Sequence, residues 1–171
     1  MNILLRLMTP QDLPMVRAWR NHSKVNVFMC SQQFISAEAH QAWFEKMQQD
    51  ALRYLYLYEE ESVAMGFVQF QQKSLESAVY EWGFYLNPEA PKGTGFRLTS
   101  QALHQAFEVL KAHKVCGEVL GFNQASIQLH KRLGFKQEGL LEQQHFLNHQ
   151  YHDVHCFGLL HHEFNPQVGE E

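Results

Sequence analysis

The sequence predicts an α/β (α+β) fold: one mixed, mostly antiparallel sheet of about seven strands with about four helices around it. Three observations predict it. β-rich runs follow one another at 54–58, 63–70 and 79–86 with short polar connections. Two stretches, one before these runs after Ser36 and one beyond them after Arg97, repeat apolar residues at three-to-four spacing. A glycine-bearing turn, Ala90-Pro91-Lys92-Gly93-Thr94-Gly95-Phe96-Arg97, joins the third of those runs to the second helix-like stretch.

Element by element, Ile3, Leu5 and Leu7 alternate as a first strand. Thr9-Pro10-Gln11-Asp12 then supplies an N-cap, a proline at the first helical position and an acid in the first turn. That helix carries Leu13, Val16 and Trp19 inward and ends near Arg20-Asn21-His22. Ser36 caps a second helix with His40, Trp43, Phe44 and Met47 on one face. The three β runs read as an antiparallel meander. After the turn, Leu98, Ala102, Ala106 and Leu110 lay a stripe on the sheet, and Lys111, His113 and Lys114 suit the negative end of that helix. A strand at 115–122 leads to Asn123-Gln124-Ala125-Ser126, which opens a shorter helix stopped at Leu133-Gly134-Phe135, with Gly134 as the residue past its end. Runs at 139–146 and 151–160 close as a hairpin. The expected arrangement is a single α/β layer forming one domain over 1–164, with a frayed tail over 165–171.

Composition narrows the function. Among 171 residues, 45% are hydrophobic and 19% charged, and the thirteen Phe place large rings in the core or along a cleft. A net charge of −4 offers no basic footprint, so nucleic acid is not an expected partner and any phosphate site must be local. Cys30, Cys116 and Cys156 form no CxxC pair, and their odd number argues against a secreted disulfide framework. With no leader-like start and no apolar stretch of spanning length, the expectation is a cytoplasmic protein without a membrane partner.

Two glycines one residue apart let the chain bend and approach a ligand closely, and a helix starting there turns free N–H groups and its positive end toward an anion. A lone Gly-x-Gly is also an ordinary turn. What lifts it is the second motif, an Asn-initiated helix ending in Leu-Gly-Phe. The order of elements with this pair of motifs resembles the GCN5-related N-acetyltransferases over nearly the whole chain.

That resemblance implies a turn that grips the pyrophosphate of acetyl-CoA, the cosubstrate, through Lys92, Gly93, Thr94, Gly95, Phe96 and Arg97. The usual pattern there starts with Gln or Arg, and Ala90 stands in that place. Lys92, Arg97 or the backbone amides alone are the available substitutes. It also implies a splay between the strands 79–86 and 115–122, where pantetheine lies like an extra strand against Phe84, Leu86, Asn123 and Ser126. Phe84 and Leu86 as simple core residues, and Asn123 as a plain helix cap, are the alternatives.

Direct attack of an amine on a thioester needs an uncharged amine, N–H donors for the oxyanion and a proton for the departing sulfur. In the family a Tyr seven residues past the Asn serves the sulfur; here His130 stands there. It is a catalytic candidate or a helix-surface or substrate-contact His. Glu81 is the candidate base if it faces the acceptor cleft, with Glu118 as a weaker one; a solvated or cross-strand-paired Glu81 is the alternative reading.

On the acceptor side, Arg20-Asn21-His22 running into Phe28-Met29, together with Glu81-Trp82-Gly83, resembles the acetyltransferases that modify a UDP-linked 4-amino-4,6-dideoxy sugar in pseudaminic acid biosynthesis. By that resemblance Arg20, Asn21 and His22 contact the nucleotide end, and Phe28, Met29 and Trp43 shape the sugar pocket. From composition alone Arg20-Asn21-His22 is a polar helix end. A ribosomal-protein N-terminal or polyamine acetyltransferase of the same fold, and a non-catalytic acetyl-CoA-binding module, stay open beside it. The eleven histidines show no paired metal spacing, so no metal is expected. Exposed edges near the closing hairpin leave a homodimer open.

Overall fold

Alternation along the strands decides which side chains each face can bury. The computed structural model describes residues 1–166. Strands β1 (Ile3–Leu7), β2 (Arg53–Glu60), β3 (Val63–Ser74) and β4 (Ser77–Leu86) pair antiparallel in chain order. Beyond them β5 (Lys114–Leu120) pairs with β7 (Gln150–Leu160), and β7 with β6 (Lys136–Leu147), again antiparallel. The two groups join through β4 and β5, which run parallel, so one sheet runs β1-β2-β3-β4-β5-β7-β6. The mixed, mostly antiparallel seven-strand sheet is as expected.

Helices α1 (Leu13–Asn21), α2 (Ser23–Asn26) and α3 (Ala37–Gln48) precede β2; α4 (Thr94–His104) follows β4 and α5 (Gln124–Arg132) follows β5. The expected single α/β layer is corrected here, because helices cover both faces. Leu55 and Leu57 of β2 pack with Val16, Trp19, Phe44 and Met47 of α1 and α3. Their neighbours Tyr56 and Tyr58 pack with Leu98 and Ala102 of α4 on the opposite side. A strand buried on both faces shows no polar alternation, which is why the layering was not legible.

Several boundaries differ for local reasons. Pro10 opens a 3-10 turn, Pro10–Asp12, ahead of α1. There Asp12, not Thr9, is the acceptor: its carboxylate takes the Thr9 N–H at 2.7 Å, the Thr9 hydroxyl at 2.9 Å and both arms of the Arg6 guanidinium at 2.8 Å. The short α2 was not expected; His22 caps it, its Nδ1 accepting the Lys24 N–H at 3.2 Å. Ser36 caps α3 through the Ala39 N–H at 3.1 Å. α4 stops at His104 and widens into a π turn, Gln105–Val109, before Lys111 turns left-handed at φ 54°. Lys114 therefore starts β5 and does not serve a helix end. Asn148 and His149, both at positive φ, make the two-residue turn whose twist suits a tight hairpin. The tail expected to fray from residue 165 begins with the Pro166 carbonyl 3.0 Å from His104 Nε2; residues 167–171 lie outside the described residues.

The Arg6 hydrogen bonds hold the buried Asp12 carboxyl down at about 2, against 3.8 for a free one. That stabilisation is full above the free value and is lost as pH falls from there toward the lowered one. Asp12→Asn is expected to lower the unfolding free energy in urea by about 2 kcal/mol at neutral pH. Its deficit against the parent should shrink on acidification below pH 4; a deficit that stays constant down to pH 2 contradicts this assignment.

Candidate active site

β4 and β5 pair only through Val79–Lys114, Tyr80–Val115 and Glu81–Cys116. Past that point β3 still holds β4 as far as Leu86, and β7 holds β5 as far as Leu120. Each strand is thus fixed from outside while their inner edges part, which leaves the inner backbone groups of residues 82–86 without a strand partner. At the base of the fork the Trp82 indole N–H donates to His130 Nε2 at 3.1 Å, with both side chains buried. A Cβ on Gly117 would sit 2.7 Å from that Nε2 and 2.8 Å from the indole nitrogen, so only glycine fits beside the pair.

The fork opens into three contiguous chambers. An inner one of about 450 Å³ has Trp82, Gly83, Phe84, Gly117, Glu118 and His130 in its walls. An outer one of about 330 Å³ runs past Phe84 and Leu86 to Ala90 and Gly95, with Lys24 and Val25 of α2 on its other side. Asn123 and Ser126 line both. Asn123 also caps α5, its Oδ1 accepting the Ser126 N–H at 3.2 Å, so its cap and its place in the cleft coexist. A side chamber of about 290 Å³ lies between Arg20, His40, Trp43, Phe67, Gln69 and Tyr85.

At the Gly-x-Gly turn, Gly93 takes φ 94°, a conformation suited to glycine. Of the Gly93 to Arg97 amides expected to be available to a phosphate, three are already bonded. Those of Thr94, Phe96 and Arg97 bond to the carbonyls of Pro91 and Gly93 at 3.1–3.3 Å, while the amides of Gly93 and Gly95 have no acceptor among the described residues. Arg97 is not a free phosphate cation either. Its guanidinium clasps the buried Glu60 carboxylate at 2.7 and 3.1 Å and reaches Thr94 Oγ1 at 3.0 Å. Thr94 is itself fully buried. Lys92 is exposed, with no ion pair among the described residues. Phe96 carries the Arg132 guanidinium over its ring at 3.8 Å, a basic contact the sequence did not indicate.

His130 is 2% exposed. Its Nδ1 lies 2.8 Å from the Ser126 carbonyl and must donate to it, so Nε2 carries no proton and accepts from Trp82. Burial holds the ring below the ordinary imidazole range. A neutral ring with both nitrogens engaged has no proton to give a departing sulfur, which corrects the donor role expected of it. Glu81 forms an ion pair with Lys73 and borders a separate small hollow of about 70 Å³, not the fork. Glu118, the weaker candidate by sequence, is the carboxylate that lines the inner chamber.

On the acceptor side, Phe28 and Met29 line the inner and outer chambers, Trp43 the side chamber, and Arg20 the inner and side chambers. Asn21 and His22 do not reach them. Asn21 makes paired 2.8 Å bonds to the backbone of Ile35, and His22 is spent on capping α2. Arg20 Nη2 donates to the Ser31 carbonyl at 2.7 Å, while Nη1 is buried with no partner among the described residues. His40 Nδ1 and Gln69 Oε1 are buried and unpartnered in the same side chamber. Tyr85 borders all three chambers. Gln69, His40 and Tyr85 were missed as site residues; the alternation that sets Phe84 on the α4 face could have shown that Tyr85 and its pleat neighbours face the other way.

The sequence profile described as "Acetyltransferase (GNAT) domain" matches residues 2–136. With the fork and the Asn-capped helix in place, the chain belongs to this acetyltransferase family and is an acetyl-CoA-dependent N-acetyltransferase. It is 28% identical to acetyltransferase PseH of Campylobacter jejuni over 73% of this chain and 77% of that one. It is 29% identical to the uncharacterised N-acetyltransferase YokL of Bacillus subtilis, covering 98% and 95%. The fold matches a spermidine N-acetyltransferase from Vibrio cholerae, in a structure with CoA and spermine, with a TM-score of 0.87 at 23% identity over 94% and 96% of the chains.

The open inner edge of 82–86 and the unpaired amides of Gly93 and Gly95 fit an extended pantetheine arm and its pyrophosphate. Among the described residues there is no cluster able to hold a metal ion, and no helix long and apolar enough to cross a membrane. Nitrogen NMR of the histidine rings should show His130 as the neutral Nδ1–H tautomer at pH 6.5; an imidazolium signal at that pH contradicts the bonding described.

Proposed function

We propose that the acceptor is the 4-amine of a UDP-linked 4-amino-4,6-dideoxy sugar, as in pseudaminic acid biosynthesis. One observation carries this reading: Arg20 is a half-buried guanidinium at the junction of the inner and side chambers, with no carboxylate partner and an unsatisfied Nη1 among the described residues. Burial lowers its proton affinity, so an anion placed there is strongly preferred over water. Trp43, stacked on His40 at 5.1 Å, gives the side chamber a flat aromatic wall beside the unpartnered His40 Nδ1 and Gln69 Oε1, a setting suited to a polar planar ring. The resemblance to PseH of Campylobacter jejuni supports the same reading.

Acetyl-CoA, when bound, supplies the thioester carbonyl that the amine attacks. The residues of the chain then have three tasks. Unpaired N–H groups on the inner edge of β4 past Glu81 donate to the carbonyl oxygen as it gains charge. Glu118 collects the proton that the amine sheds as the C–N bond forms, directly or through water, and the C–S bond then breaks, CoA leaving as a thiolate that takes its proton from solvent. Trp82 and His130 fix the fork at the width the thioester needs. A sugar amine flanked by electron-withdrawing oxygens is less basic than a lysine, so a single exposed carboxylate is base enough.

A polyamine acceptor is the second reading. It draws on Glu118 and on the 24% identity to the spermidine N(1)-acetyltransferase of Vibrio cholerae. A polycation favours several carboxylates, however, and among the described residues lining the three chambers Glu118 is the one acid. Incubation with acetyl-CoA and, separately, the UDP-linked amino sugar, a peptide with N-terminal Ala or Ser, and spermidine should release free thiol with the sugar. Arg20→Met should raise the KM for that sugar about tenfold and leave the KM for acetyl-CoA nearly unchanged. Turnover confined to the peptide or to spermidine overturns the assignment.

A further inference from the structure

Neither cation of the Gly-x-Gly turn lines the outer chamber: Arg97 is committed to Glu60, and Lys92 is exposed outside its walls. Ala90 is apolar, and Glu89 adds a negative charge beside it, which works against a pyrophosphate unless something offsets it. An ammonium reaches that chamber from the other side of the cleft. Lys24 of α2 places Nζ 3.0 Å from Glu89 Oε1 and 3.3 Å from the Pro88 carbonyl. Lys24, Ala90 and Gly95 all line the outer chamber.

We propose that Lys24 is the pyrophosphate cation of this protein, contributed across the cleft from α2 in place of a cation within the turn. The position is fixed by neighbouring structure. The His22 cap starts α2, and Val25, buried in the next position, holds the helix down so that Lys24 projects over the turn. The present partner is loosely kept: the Lys24 and Glu89 side chains are 61% and 78% exposed, and such pairs are worth little in water. Exchange of Glu89 for a phosphate oxygen, or sharing between them, therefore costs little. The same contact ties the acceptor-side helix to the cofactor-side turn. This inference needs only acetyl-CoA as donor and is independent of the acceptor.

Titration calorimetry with CoA tests it. Lys24→Met should bind CoA about tenfold more weakly than the parent, with a shallower loss of affinity on adding salt. Lys24→Arg should recover most of the affinity, and Glu89→Gln should bind at least as tightly as the parent. Pantetheine, which has no phosphates, should bind Lys24→Met and the parent with the same affinity in the same calorimetry. CoA affinity of Lys24→Met within twofold of the parent overturns the proposal. So does an equal loss with pantetheine, which would make Lys24 a general support of the fold.

Discussion

The parting of β4 from β5 after three residue pairs is the constraint on which the site depends. Hydrogen bonding continues on the outer side of both strands, so the opening is a property of the sheet and not a local fraying. What keeps the inner edges apart is a wedge of rings. The Trp82–His130 hydrogen bond fills the base of the fork, Phe135 stacks on Trp82 at 5.2 Å, and Phe157 stacks on His130 at 5.0 Å. Gly117 permits this by giving up a side chain where the two nitrogens meet. Because Nε2 is occupied by an indole proton, the imidazole is worth more as a spacer than as an acid.

Charge is distributed so that each part of the cleft prefers a different group. Among the described residues the turn offers two amides without an acceptor, and Lys24 lines the same outer chamber. The carboxylate described in the inner chamber is that of Glu118, next to an unpaired backbone edge. The side chamber holds the Arg20 guanidinium, without a counter-ion among the described residues and walled by aromatic rings. Glu60 and Arg97 stand behind the turn, and the Arg97 contact keeps the Glu60 carboxyl ionised below the usual range. Their role is to brace the start of α4, since a buried carboxylate without its partner would be costly.

The succession of strands along the chain, the antiparallel meander and the two motif turns were legible because they are local. Alternation sets Phe84 and Leu86 on one side, and Asn123 announces its helix as a cap whatever else it does. Several of the misread residues are taken by partners that only the folded sheet sets against them. His130 looked available until Trp82, 48 residues away, took its nitrogen. Arg97 looked like a phosphate ligand until Glu60 claimed it, and Glu81 looked like a base until Lys73 neutralised it. Asn21 and His22 were polar residues at a helix end, and the structure uses them as just that, as a loop pin and a cap. Lys24 had no local mark at all, because its relation to Glu89 spans 65 residues and exists only once the sheet has formed.

We propose that the unpaired inner edges of β4 and β5 receive the pantetheine arm as though it were a strand. Amide hydrogen exchange with and without CoA reads this directly. The account predicts slowed exchange on binding at amides within 82–86 and at Gly93 and Gly95, with little change in the β1–β2 pairing. Unchanged exchange across 82–86 in the presence of saturating CoA would contradict it.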